Sequence, residues 1–148
     1  MNPLDNNQND VENQQDANRM AEESGAPSHT MGNKTFFIAA DGDSIGQKVG
    51  QSVLMDDIEN LKEVSHSINA GQNMLMDWVE SKGGEVISAG GDELVAGFDH
   101  PVEDEELEQI RQKYEAIVGA TLTVGTGTRP SEAGKALLFG KVNGKGLS

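Results

Sequence analysis

Four carboxylates stand at two places where apolar runs stop. Asp41 and Asp43, separated by Gly42, follow the run Thr35-Phe36-Phe37-Ile38-Ala39-Ala40, and Asp92 and Glu93 lie in Gly90-Gly91-Asp92-Glu93-Leu94. The second group sits between Val86-Ile87-Ser88-Ala89 and Leu94-Val95-Ala96-Gly97-Phe98, two stretches of strand composition, so Gly-Gly-Asp-Glu reads as a tight hairpin turn with acids on its tip. Acids on a turn and acids leaving a neighbouring strand can converge on divalent cations. Such cations hold triphosphate oxygens and lower the pKa of an attacking hydroxyl. The pattern is that of a two-metal nucleotidyl-transfer site, with Asp41, Asp43, Asp92 and Glu93 as candidate metal ligands.

Those acids need elements to place them. The run Thr35 to Ala40 suits a buried central strand. From Val53 to Val79, the residues Leu54, Ile58, Leu61, Val64, Ile68, Leu75 and Trp78 recur every three or four positions, which predicts an amphipathic helix broken at most once and ended by Gly83-Gly84. Beyond the hairpin, Asp99-His100-Pro101 makes a stop, and Leu107, Ile110, Tyr114 and Ile117 mark one face of a second helix whose acidic start complements its dipole. Ala120 to Thr126 reads as a strand. A last helix begins near Pro130, before the glycine-rich Asn143-Gly144-Lys145-Gly146. The order is β-α-β-β-α-β plus a C-terminal helix, an α+β ferredoxin-like palm with an antiparallel central sheet. In that plan the first and third strands are neighbours, which brings the two acid groups together.

Composition sets limits. A chain of 148 residues holds one domain of common size. Its net charge of −14 argues against a broad electrostatic footprint on duplex nucleic acid, while leaving small nucleotides escorted by cations open. Cysteine is absent, which excludes disulfides and thiolate sites. No apolar run approaches the roughly 18 residues of a membrane span, and no basic-then-apolar leader opens the chain, so a cytoplasmic protein is expected. Residues 1–33, rich in Asn, Gln, Asp and Glu, read as a disordered acidic tail, and residues 34–148 as the folded domain.

Gly-Gly-Asp-Glu-Leu resembles the signature of GGDEF-type diguanylate cyclases. Together with Asp41-Gly42-Asp43-Ser44-Ile45-Gly46, Ser65 in the long helix, and Lys141-Val142-Asn143-Gly144-Lys145, the chain from Thr35 to Gly146 looks most like the minimal CRISPR polymerase domain, a small relative of those cyclases and of the type III CRISPR palm. The resemblance implies catalytic roles for Asp41, Asp92 and Glu93, with one turn acid completing the metal shell. It implies Mg2+ or Mn2+ as cofactor. It implies nucleotide binding by Gly42, Gly90, Gly91, Lys141 and Lys145, the glycines giving close backbone approach and the lysines holding the β and γ phosphates. Where the family continues with asparagine and a further strand, Gly146 stands here and the sequence ends at Ser148, which suggests a shortened domain, a processed product or a fragment.

The activity so implied joins nucleoside triphosphates, ATP before GTP, into a cyclic dinucleotide or cyclic oligonucleotide with release of pyrophosphate. One small palm offers one catalytic centre, so a homodimer with facing turns is expected. The alternative, of a different class, is a palm without catalysis that binds nucleotide or serves a larger assembly such as a phage virion.

Overall fold

The computed structural model describes residues 34–142; the expected tail and Lys145 lie outside them. Within that span lie four strands and four helices, in the order β1 (Phe36–Gly42), α1 (Ile45–Leu54), α2 (Ile58–Ser81), β2 (Glu85–Gly90), β3 (Glu93–Phe98), α3 (Asp104–Val118), β4 (Leu122–Gly127) and α4 (Pro130–Val142). The strands form one antiparallel sheet in the order β2-β3-β1-β4, that of the expected palm. In β1 the residues Phe37 to Ala40 are all buried, because the strand is flanked on both sides and covered on both faces.

Alternation along β1 divides the core. Ile38 and Ala40 join Leu94, Ala96, Phe98, Leu122 and Val124 beneath α2 and α3, whose contribution includes Val64, Ile68, Leu75, Leu107, Ile110 and Tyr114. Phe37 and Ala39 face the other way, onto Ala133 of α4. Helix α4 packs mainly on β4 and β1. The α4 side of the sheet therefore keeps a groove of about 320 Å³ between Leu137 and Leu138 and the β2–β3 hairpin, and Asp41 and Glu93 line it.

The periodicity from Val53 to Val79 resolves into two helices. The chain breaks at Met55–Asp57, where Asp56 takes a left-handed φ of 54° and the Asp57 carboxylate accepts from the Asn60 amide at 3.1 Å to cap α2. Helix α1 itself extends back to Ile45, further than the apolar spacing indicated. Leu54 and Ile58, predicted for the buried face, flank this break and are exposed, whereas Val64, Ile68, Leu75 and Val79 are buried. In α3 the buried stripe ends on Val118 rather than Ile117, following 3.6-residue geometry from Tyr114, and Gly119 closes the helix with φ 78°. Helix α4 starts at Pro130, and Glu132 accepts from both the backbone amide and the hydroxyl of Thr128 at 2.8 Å.

Gly125 and Gly127 let α4 lie directly on β4. A Cβ on Gly125 would collide with the backbone of Ala133 and Leu137, which no rotamer change relieves. Gly125→Ala is therefore expected to destabilise the domain by about 1–3 kcal/mol. Gly134→Ala, on the same helix with open space around its Cβ, is expected to be neutral or stabilising. Paired denaturant titrations check the contrast.

Candidate active site

The register of β1 against β3 sets Asp41 directly opposite Glu93, so the two carboxylates share the α4 side of the sheet. The hairpin tip follows the sequence reading: Gly90 ends β2, Gly91 turns with φ 58°, and Asp92 precedes β3. The Gly42 amide donates to the Asp92 carbonyl at 3.2 Å, locking the end of β1 to the tip. The Asp92 carboxyl then lies against that of Asp41. Burial, together with the hydrogen bond and the like charge of Asp92, pushes the Asp41 carboxyl up to about 6, against the opposing pull of Lys141.

Asp43 is placed differently. It is 3% exposed, and three donors occupy its carboxylate: Thr121 Oγ1 on Oδ2 at 2.6 Å, with Thr123 Oγ1 and Lys141 Nζ both on Oδ1 at 2.7 Å. Burial pushes the group upward, yet the hydrogen bonds from Lys141, Thr121 and Thr123 outweigh it and hold the carboxyl below the usual aspartate range. Asp43 thus anchors Lys141 and the first residues of β4. The sequence placed it beside Asp41 as a ligand; it did not show the two threonines, whose i,i+2 spacing across the start of β4 was the available signal.

Lys141 comes from the last turn of α4 and reaches three oxygens of a single loop. Its ammonium donates to the Gly42 carbonyl at 2.9 Å and to Asp43, and lies 3.3 Å from Asp41 Oδ2. Burial lowers its affinity for a proton, and contacts with Asp43 and Asp41 more than restore it, so its pKa stands above the ordinary lysine value. Gly42 serves this arrangement twice. Its carbonyl faces the cation, and a Cβ on it would come within 2.6 Å of the Tyr114 hydroxyl. That hydroxyl is buried without a hydrogen-bond partner among the described residues, and burial and the charges of Asp92, Asp41 and Asp43 push its pKa up.

A model of the minimal CRISPR polymerase domain family matches residues 37–147. The chain belongs to that family. Among solved structures, the isolated GGDEF domain of TpbB (YfiN) from Pseudomonas aeruginosa is similar at 14% identity, over 92% of this chain and 83% of that one, with a TM-score of 0.41. Comparison with curated proteins gave no match. Membership makes this minimal CRISPR polymerase domain a palm of nucleotidyltransferase type. Three of its expected site residues, Asp41, Asp92 and Lys141, meet where β1, the hairpin and α4 converge; Glu93 stands opposite Asp41 in the register, and Gly42, Gly90 and Gly91 border them.

The donor set suits a hard cation of few protein ligands. Among the described residues no three His, Cys, Asp or Glu side chains are grouped so as to hold a metal ion. Mg2+ usually takes one or two carboxylates and completes its shell with water and phosphate, and Asp41, Asp92 and the Gly42 carbonyl are donors of that kind. Burial first, and then the neighbouring Asp92, raise the Asp41 carboxyl to about 6, and a dication bound beside the pair would favour its ionised form.

Asp41 gives the metal-free domain a distinctive pH response. Between the ordinary aspartate value of 3.8 and about 6, the folded state holds a proton the unfolded chain has released, so stability falls as pH rises through that window. Asp41→Asn is expected to abolish this slope and to raise stability at pH 7 by about 1–2 kcal/mol. Thermal melts from pH 4 to 8 in chelator read it directly. The Lys141–Asp43 contact has the opposite sign: its stabilisation is present at neutral pH and disappears as pH falls through the depressed Asp43 value. Lys141→Met, which leaves a buried carboxylate short of a donor, is expected to cost about 1–3 kcal/mol at pH 7, with the deficit shrinking in acid. Equal deficits at pH 7 and pH 3 would contradict it.

Proposed function

We propose that this domain is a metal-dependent nucleotidyltransferase that forms a cyclic dinucleotide or cyclic oligonucleotide from ATP, with release of pyrophosphate. The observation that carries the reading is the pairing of Asp41 with Asp92, with Glu93 across the strand register from Asp41, beside an open groove with an ammonium group of α4 at its edge. Asp41, Asp92, Glu93 and the Gly42 carbonyl would hold Mg2+ or Mn2+. When bound, the cation neutralises phosphate charge and acidifies a ribose hydroxyl.

The rest is done by the chain. The groove beside Asp41 and Glu93 holds the acceptor ribose against the sheet. A ribose oxygen bonds to the α-phosphorus of a second nucleotide as the bond from that phosphorus to the β-phosphate bridging oxygen breaks. Glu93, exposed and opposite Asp41, takes the hydroxyl proton, and pyrophosphate leaves with its charge countered by Lys141 and by Lys145 of the C-terminal segment. Ring closure requires a second transfer between the same nucleotides. A single acid cluster serves this best when two copies present their hairpin tips to one another, so a homodimer is part of the proposal.

A second reading has one observation in its favour. With Asp43 fully occupied and no three-acid cluster among the described residues, the same site could bind nucleotide without turnover and act as a component of a larger assembly. The readings separate in one experiment. Wild type, Asp41→Ala, and the Asp92→Ala, Glu93→Ala double variant are incubated with each labelled triphosphate and Mn2+, and products are resolved by chromatography. A phosphatase-resistant product from the wild type, reduced at least about 100-fold in both variants, is expected. Nucleotide bound and recovered unchanged would sink the transferase reading and leave the second.

A further inference from the structure

Tyr114 carries a hydroxyl that the packing of the domain does not explain. The residue is fully buried on α3, in the core shared with α2 and the sheet, and its hydroxyl has no hydrogen-bond partner among the described residues. A phenylalanine would give that core the same ring. An unpaired buried hydroxyl is a net cost to the fold, so its presence asks for an acceptor that it meets when the site is at work.

Two glycines on separate elements make room for this side chain. On α2, a Cβ at Gly71 would come within 3.0 Å of the Tyr114 ring carbon Cε1 and 3.2 Å of Cδ1. At the end of β1, a Cβ at Gly42 would come within 2.6 Å of the hydroxyl itself. The ring is therefore seated against α2, and the hydroxyl is delivered to the acid loop from within the core.

The acceptor follows by elimination. Asp43 already receives Thr121, Thr123 and Lys141. Asp41 lines the groove beside Leu137 and Leu138, on the α4 side of the sheet. Asp92 remains. Its carbonyl accepts from the Gly42 amide at 3.2 Å, which ties it to the position the hydroxyl rests against. After burial, the charge of Asp92 bears on the hydroxyl more than that of Asp41 or Asp43. Here the Asp92 carboxyl is hydrogen-bonded to that of Asp41. When both carboxylates turn their oxygens to a dication, that bond is given up and Asp92 needs another donor.

We infer that Tyr114 is a positioning residue of the acid centre, its hydroxyl donating to the Asp92 carboxylate when Asp41 and Asp92 share a divalent cation. Donors behind a ligating carboxylate fix its orientation, and their loss typically weakens metal binding about 10- to 100-fold. The inference rests on the reading of these acids as a cation site and is independent of turnover.

The test uses the full chain. Tyr114 is its one tyrosine, so protein grown with tyrosine carrying carbon-13 at Cζ gives a single NMR signal that reports whether the hydroxyl donates. Mg2+ alone is expected to move that signal along the same saturation curve that calorimetry records. Tyr114→Phe is expected to melt about 2–6 °C higher than wild type in chelator, because it removes an unpaired polar group, and to bind Mn2+ about 10- to 100-fold more weakly. A tyrosine that only packs gives no such opposition of signs, since phenylalanine would leave Mn2+ affinity unchanged. Equal Mn2+ affinity, a Cζ signal that stays still while Mg2+ binds, or a variant that melts lower in chelator each overturns the role of Tyr114 and leaves the cation site standing. A wild type that binds neither ion overturns both. Cation binding with the expected Tyr114 responses but no product from ATP supports the inference while sinking the transferase reading.

Discussion

A carboxylate with almost no access to water organises the upper end of this domain. Asp43 leaves β1, and its charge is tolerable there only because Thr121, Thr123 and Lys141 surround it with donors, while its own amide donates to the Thr121 carbonyl at 2.9 Å. Those donors come from the approach to β4, from β4 itself and from the last turn of α4. One ion therefore ties together segments nearly 80 to 98 residues apart. Removing any donor leaves a charge that cannot be hydrated, which makes the arrangement stiff as well as stable.

The consequence is a division of labour between two acids that look alike in sequence. Asp43 is saturated with hydrogen bonds and stays ionised; Asp41 lies against Asp92 and resists ionisation until about pH 6. Charge is thus balanced at one position and left in excess two residues away. The excess is what attracts a cation, and Lys141 already satisfies part of it through Asp41 and the Gly42 carbonyl. A lysine ammonium and a metal ion respond to the same oxygen field. The ammonium is tethered to α4, so the seating of that helix on Gly125 and Gly127 is coupled to the electrostatics of the acids.

Much of this was legible in the sequence. The uninterrupted apolar run of β1, the glycine turn between β2 and β3, and the spacing of Val64, Ile68 and Leu75 each had one reasonable structural meaning, and the strand order followed. Helix α1 was hidden because Gly46 and Gly50 dilute its pattern and its apolar end, Val53 and Leu54, is exposed rather than buried. The anchoring role of Asp43 was hidden for another reason: hydrogen bonds across some 80 residues leave no local trace. Gln72 was passed over because a glutamine on a polar-rich helix normally faces water, and only the tertiary structure sets it against the Glu93 carbonyl. Lys141 entered through family likeness, and its contacts with Gly42 and Asp43 are particular to the folded chain.

The two glycines of the hairpin separate conformational need from spatial need. Gly91 has φ 58°, so any side chain there is strained whatever surrounds it, and its identity is explained by the turn alone. Gly90 has no positive φ and no atom near the missing Cβ, so neither backbone nor packing accounts for it. With Ala89 it forms the wall shared by the groove of the acids and a second groove lined by Asn69, Gln72, Asn73 and Met76 of α2. A side chain at that point would narrow the passage between them.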